Sequence, residues 1–257
     1  MAMGIIQNSC LLLLCLASCT VAVPLRKSRD TSSSTAAPTS PLLRWHQPCG
    51  GSSPVSNGPA LPAMPAPPLG QSAFTIRMHI TDNMNKVKDL RKRWVQERFH
   101  SDPEYINWIE SQYIVYSSLP QEEHWSQFVG IQNAVNNMDE FFSQSYIWLA
   151  KIAVHLEEIR IDELASNTVF NQENVDAHMI QSAEDQLYVC MCAVHTLMTS
   201  RNLQLDQTIE RDILETTFAD PPGNSKTLRY NRDWIVFNHF LKLLTHLEKV
   251  YTELQQM

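Results

Sequence analysis

Glycine is scarce in this chain, seven in 257 residues, which leaves little material for the backbone-lined loops that cradle phosphate. There is no G-x-S-x-G, no H-E-x-x-H and no His-x-x-x-His. Hydrolytic or nucleophilic catalysis needs a preorganised constellation, and none is legible. The chain therefore reads as a non-enzyme, with no catalytic, cofactor-binding or metal-ligating residues. A di-iron bundle would need two Glu-x-x-His pairs and two further glutamates. Here the one such pair is Glu97/His100, at a helix end, and His239 and His246 read as solvated rim. Basic charge is also short: 20 Lys and Arg stand against 27 Asp and Glu, a net −7, which argues against nucleic acid or an anionic membrane as partner. No N-x-Ser/Thr site occurs, so N-glycosylation is not expected. Strand-like alternation of useful length and internal repeats are lacking too.

Long apolar runs are confined to the start. The stretch Cys10–Val23, followed by Pro24 and Arg26–Lys27, is too short for a comfortable membrane span and has small residues at Ala17, Ser18 and Ala22. Residues 1–22 are expected to be a secretory signal peptide, making the product secreted and extracellular, with no membrane insertion. Residues 23–72 are rich in Ser, Pro and Ala, a composition that cannot bury enough apolar surface to offset its ordering entropy, and read as a disordered leader. Trp45 within it reads as incidental.

Three of the six cysteines lie in the signal segment, leaving Cys49, Cys190 and Cys192. An odd number in an oxidising compartment is no disulfide scaffold, so a packed core must hold the fold together. On a helix Cys190 and Cys192 diverge by about 200° and cannot bond each other. Cys190 points to the core. Cys192 points outward and is a free thiol, or pairs with Cys49, or joins another chain.

What the chain has in quantity is helical periodicity. From about Tyr230 to Leu254, Phe237, Phe240, Leu241, Leu244, Leu247, Tyr251 and Leu254 recur three and four apart and form one broad stripe. So wide a stripe needs tertiary packing, and three more long helices supply it. Ile76, Ile80, Val87, Leu90 and Trp94 define a helix over about Ala73–His100, ended by Ser101-Asp102-Pro103. A second is predicted to open at Ser118-Leu119-Pro120-Gln121 with a capping box and to run unbroken from there for roughly 38 residues, with Phe128 through Ile159 holding one face. A third covers about Val175–Leu203, with Met179, Ala183, Leu187, Cys190, Val194 and Leu197 inward. Long connections precede the second and fourth helices and a short one joins the second to the third. The expected fold is an all-α, up-up-down-down four-helix bundle spanning residues 73–257, with long first and last crossovers.

Exposed apolar groups mark binding surfaces. Trp234 lies at the edge of the last helix's stripe and Ile235 outside it. The outer faces of the first helix (Asp82, Lys86, Asp89, Arg93, Gln96) and the third (Gln181, Asp185, Tyr188, Cys192) make a second, polar surface.

The helix order, together with HWSQFVGIQNAVNNMDEFFSQSYIWLAKIAVHLEEIR and RYNRDWIVFNHFLKLLTHLEKVYTEL, resembles the long-chain interleukin-6-type cytokines, nearest the ciliary neurotrophic factor and cardiotrophin-like subgroup. The resemblance covers about residues 73–256. It implies a growth-factor-like ligand that clusters cell-surface cytokine receptors, a shared signal-transducing chain plus a specificity chain, and activates JAK-STAT signalling. By matching positions, Lys86, Asp89, Arg93, Gln181, Asp185 and Tyr188 would bind the shared chain, and Tyr230, Arg232, Trp234 and Ile235 a second one. Tyr230-Asn231-Arg232-Asp233 stands where members of one receptor specificity carry Phe-x-x-Lys, with Asp233 in place of the lysine. Two other readings of the same bundle are a secreted carrier of an apolar ligand and a subunit of an interleukin-12-type heterodimer linked covalently through Cys192.

Overall fold

Hydrophobic stripes at helical spacing give helices, and the computed structural model is all-helical among the residues it describes: 43–50, 67–112, 116–128, 135–166, 175–215, 218 and 225–257. The expected signal peptide and most of the expected leader lie outside those residues. Six α-helices follow one another: α1 (Leu69–Arg98), α2 (Pro103–Ser111), α3 (Glu122–Ser126), α4 (Met138–Ser166), α5 (Val175–Ser200) and α6 (Lys226–Leu254). Short 3-10 turns stand at Arg44–His46 and Arg211–Ile213.

The chain leaves α1 through His100 and Ser101, both in the left-handed region at φ 50° and 57°. Asp102 then caps α2, its Oδ1 accepting from the backbone N–H groups of Glu104 at 2.9 Å and Tyr105 at 3.2 Å. Pro103 occupies the first helical position, where its missing N–H costs nothing. At α6 the Ser225 hydroxyl accepts from Leu228 N–H at 3.4 Å, so this helix starts earlier than its apolar stripe.

Side-chain contacts fix how the long helices run. Gly70, at the beginning of α1, lies against the end of α6, where an added Cβ would come within 3.0 Å of the Gln255 carbonyl oxygen. Trp94, near the end of α1, donates from Nε1 to the Tyr230 carbonyl at 3.2 Å. These two helices are therefore antiparallel. The same holds for α1 and α5, where Lys86 donates to Ser182 at 2.9 Å and Arg93 to Asp176 at 2.7 Å. It holds for α4 and α5 (Arg201 to Asp139, 2.6 Å; Arg160 to Glu184, 2.7 Å). Across α4 and α6, Phe142 stacks on Tyr251 and Arg232 donates to Asp162 at 2.9 Å. Every expected stripe residue of α1 is buried, as are Phe237, Phe240, Leu244, Leu247, Tyr251 and Leu254 of α6.

The expected unbroken second helix is not formed. Gln127 and Phe128 make a turn after the five-residue α3, and the long segment begins only at Met138. On one straight helix at about 1.5 Å per residue, Trp125 and Phe128 would lie about 30 Å or more from Trp148; both instead pack on it, with ring centroids 6.4 and 5.9 Å away. The capping box is absent as well. Gln121 Nε2 donates to the carbonyls of Tyr116 and Leu119 at 3.0 and 2.7 Å, while Ser118 Oγ meets His155 Nε2 at 2.9 Å.

His155 is fully buried, and its Nδ1 donates to the Lys151 carbonyl at 2.7 Å, which leaves Nε2 to accept from Ser118. Burial pulls its pKa down to about 4, with His239, Arg232 and Lys151 adding repulsion. A histidine held neutral in the fold contributes stability that is present above its unfolded pKa and lost as pH falls from about 6.5 towards 4. We expect this residue to remove up to about 3 kcal/mol over that window. Urea unfolding at pH 7 and pH 4.5 should show a smaller acid loss for His155→Gln than for wild type; equal losses would place the acid sensitivity elsewhere.

Candidate functional site

The two expected surfaces are built differently from each other and from the sequence reading. On the outer side of α1 and α5, Asp89 and Gln181 are exposed and Lys86 is half-buried against Ser182. Arg93 pairs with Glu97 at 2.8 Å and with Asp176, whose hydrogen bond raises the arginine pKa further. Asp185 is taken up by Arg44 at 2.7 Å. Tyr188, expected to be exposed, is buried at 2% with the Arg44 guanidinium 4.0 Å above its ring.

Arg44 comes from the supposed leader. Residues 43–50 form an ordered strap across α5, contrary to the expectation of disorder throughout 23–72. Trp45 is its anchor, not an incidental residue: 1% exposed, it donates from Nε1 to the Ile209 carbonyl at 2.7 Å. The Tyr146 hydroxyl donates to the Trp45 carbonyl at 2.6 Å, and His46 Nε2 meets the same Ile209 oxygen at 2.9 Å. The strap ends in a disulfide between Cys49 and Cys192. Of the three possibilities for Cys192 this is the one realised, so the thiol required for a covalent link to another chain is already engaged. Cys190 is the free cysteine among the described residues, wholly buried, its thiol pushed up to about 12 by that burial. A groove of about 360 Å³ runs between strap and helices, lined by Arg44, Pro48, His79, Tyr188, Val189 and Ala193 among others.

The start of α6 holds a charged cluster that the sequence reading treated as surface. Tyr230 and Ile235 are half-buried, whereas Arg232 (1%) and Trp234 (3%) are buried, correcting their expected exposure. Trp234 lies beneath Arg91, whose guanidinium is 4.7 Å from its ring. Arg232 donates from Nε to Asp233 at 2.7 Å and from Nη1 to Asp162 and the Phe218 carbonyl, both at 2.9 Å. Arg98 reaches across from α1, donating to Glu163 at 3.0 Å, Asp176 at 2.7 Å and the Tyr230 hydroxyl at 3.3 Å. Burial raises the Asp233 pKa to about 7 against the pull of Arg232, and it raises that of Glu163.

All four long helices thus meet in one array of ion pairs around a cavity of about 100 Å³. Such an array fixes register, since any slip strands a buried charge. Around it apolar groups face solvent: Leu228 on α6, Ile161 and Leu164 on α4, and Trp108 on α2, stacked on Tyr105 whose hydroxyl donates to Asn231 at 3.1 Å. Leu228, Trp108 and the strap were missed by periodicity; the apolar island Leu42-Leu43-Arg44-Trp45 in a Ser/Pro-rich stretch was the available signal for the last.

Among the described residues no group of three or more His, Cys, Asp or Glu side chains could hold a metal ion, and no helix is long and apolar enough to cross a membrane. Comparison with protein-family models, with curated proteins and with solved structures finds no match.

Proposed function

We propose that this chain is a secreted, non-catalytic helical cytokine of the interleukin-6 type, an up-up-down-down bundle that clusters cell-surface receptors and activates JAK-STAT signalling. The observation that carries the reading is the set of helix directions. Because α1 and α4 each run antiparallel to both α5 and α6, the first two long helices run one way and the last two the other, as two long crossovers and one short connection require. The extracellular assignment draws on the apolar start of the sequence and on a disulfide of the kind that persists in oxidising compartments.

Two surfaces suit receptor chains. The α1/α5 face offers Lys86, Asp89, Arg93 and Gln181 with the strap beside them. The start of α6 offers Tyr230 and Ile235 with Leu228 and Trp108, apolar groups rimmed by charge, which is the composition of a protein-binding patch. A carrier role is disfavoured by the core, whose large side chains are almost wholly excluded from solvent, and by cavities lined with arginine and carboxylate.

The test is capture of the secreted protein by soluble ectodomains of interleukin-6-type receptors, followed by STAT phosphorylation in cells that carry them. Reversing charge on the open face, Lys86→Glu with Asp89→Arg, should lower capture by the shared chain roughly tenfold or more while leaving helicity unchanged. Silence across the receptor panel would sink the reading.

A further inference from the structure

The strap is held on the α1/α5 face at two points. One is Trp45, seated under hydrogen bonds from Tyr146 and to Ile209. The other is the disulfide, with Cys49 itself exposed and Cys192 partly so. Next to Trp45, on its amino-terminal side, Arg44 covers Tyr188 and engages Asp185. A segment of eight residues therefore occupies two of the side chains by which this face would meet a receptor.

The tie made by Arg44 is weaker than either. The Arg44–Asp185 pair is 51% and 49% exposed, where an ion pair gains little against solvent. The disulfide instead links positions 143 residues apart and holds the strap at high effective concentration beside α5. Exposed disulfides of this kind are the ones open to thiol exchange.

We propose that Cys49–Cys192 is a redox latch: reduction by a dithiol releases the strap, uncovers Tyr188 and Asp185, and relieves a restraint on receptor binding. The opening stands on the strap's geometry alone; its effect on binding rests on the α1/α5 face being a receptor surface. In the first step a reductant thiolate attacks Cys49 Sγ, the S–S bond breaks, and the electron pair leaves on Cys192 Sγ, which takes a proton. The second reductant thiolate then attacks its own sulfur partner in the mixed disulfide. That closes the reductant's disulfide and frees Cys49, which is protonated in turn. Two electrons and two protons pass from dithiol to cystine. Cys190 does not compete, being wholly buried.

The experiment compares full-length protein oxidised, reduced with dithiothreitol, and reoxidised, by amide hydrogen exchange. The backbone N–H groups of His46, Gln47 and Gly50, hydrogen-bonded within the strap, should exchange roughly tenfold faster or more on reduction and recover on reoxidation, with α1, α4 and α6 unchanged. In the Cys49→Ser/Cys192→Ser variant, without reductant, hydroxyl-radical footprinting should show increased oxidation of Tyr188 and Trp45. A strap that stays protected in both overturns the latch, and so does a loss of protection across all helices, which would make the disulfide a general staple. Ectodomain capture supplies the second arm. Tighter capture of the open forms supports the restraint, and equal capture of open and closed forms overturns it. An opened strap with no capture of either form leaves the latch standing and removes the receptor reading.

Discussion

Replacing Arg232 with methionine should destabilise the fold by about 3–5 kcal/mol at pH 8, and by clearly less at pH 5. The methionine keeps the apolar stem packed against Phe218, whose ring lies 4.8 Å from the guanidinium carbon. What it removes is the charge facing Asp233, a carboxylate with 1% exposure. Burial already raises Asp233 from 3.8 to about 7 with the arginine in place, and its loss would raise it further. A carboxyl whose folded pKa lies above its unfolded value binds more protons in the native state. Its contribution to stability therefore grows as pH falls through the folded pKa and is lost as pH rises through it. The variant pushes that window upward, so its deficit against wild type should shrink on acidification. Arg232→Met/Asp233→Asn, which leaves no stranded charge, should recover most of the loss at pH 8. Urea unfolding followed by circular dichroism at both pH values decides the matter. An equal deficit at pH 5 and pH 8, or no recovery in the double variant, would mean that Asp233 is not the group left unpaired.

The same cluster marks where sequence reading stopped. Periodicity found the inward faces of α1 and α6 because burial of Ile76, Val87, Leu90, Phe240 and Leu247 follows from spacing alone. Asn231 is polar and outside the apolar stripe, yet it is 6% exposed, because Tyr105 from α2 comes to meet it. Arg232 was expected at the surface, since a charge is buried only when partners arrive from elsewhere in the chain, here Asp162 of α4. Trp45 looked incidental for the same reason: the carbonyl it bonds belongs to Ile209, 164 residues away. The break between α3 and α4 was hidden by a different ambiguity. Phe128 and Met138 fit one continuous helical period, but only a turn brings Trp125 and Phe128 against Trp148 together. The choice of Cys49 for Cys192 was left open by spacing and is made by the strap, which carries one sulfur across the face of α5 to the other.

Trp94→Ala should cost about 3–5 kcal/mol, and its effect should be concentrated at the start of α6. The indole is 1% exposed and meets Tyr230 and Phe237 edge-on, with ring centroids 5.9 and 5.3 Å away. It also lies 5.2 Å from the Arg98 guanidinium and donates to the Tyr230 carbonyl. Truncation to alanine removes all four contacts and opens a cavity beside the ion-pair array. Trp94→Phe keeps an aromatic ring there but has no N–H for the Tyr230 carbonyl, and should cost nearer 1–2 kcal/mol. Because Tyr230 precedes the buried Arg232–Asp233 pair by one half-turn, loosening it should let Lys226–Trp234 open locally before the rest of α6 does. Amide exchange across that segment checks the claim, with denaturant unfolding giving the global loss. Faster exchange confined to the first two turns of α6, together with weaker receptor capture at full helicity, would tie the packing of Trp94 to the presentation of Tyr230. Uniform acceleration along α6 would instead make Trp94 an ordinary core residue, with no special hold on the helix start.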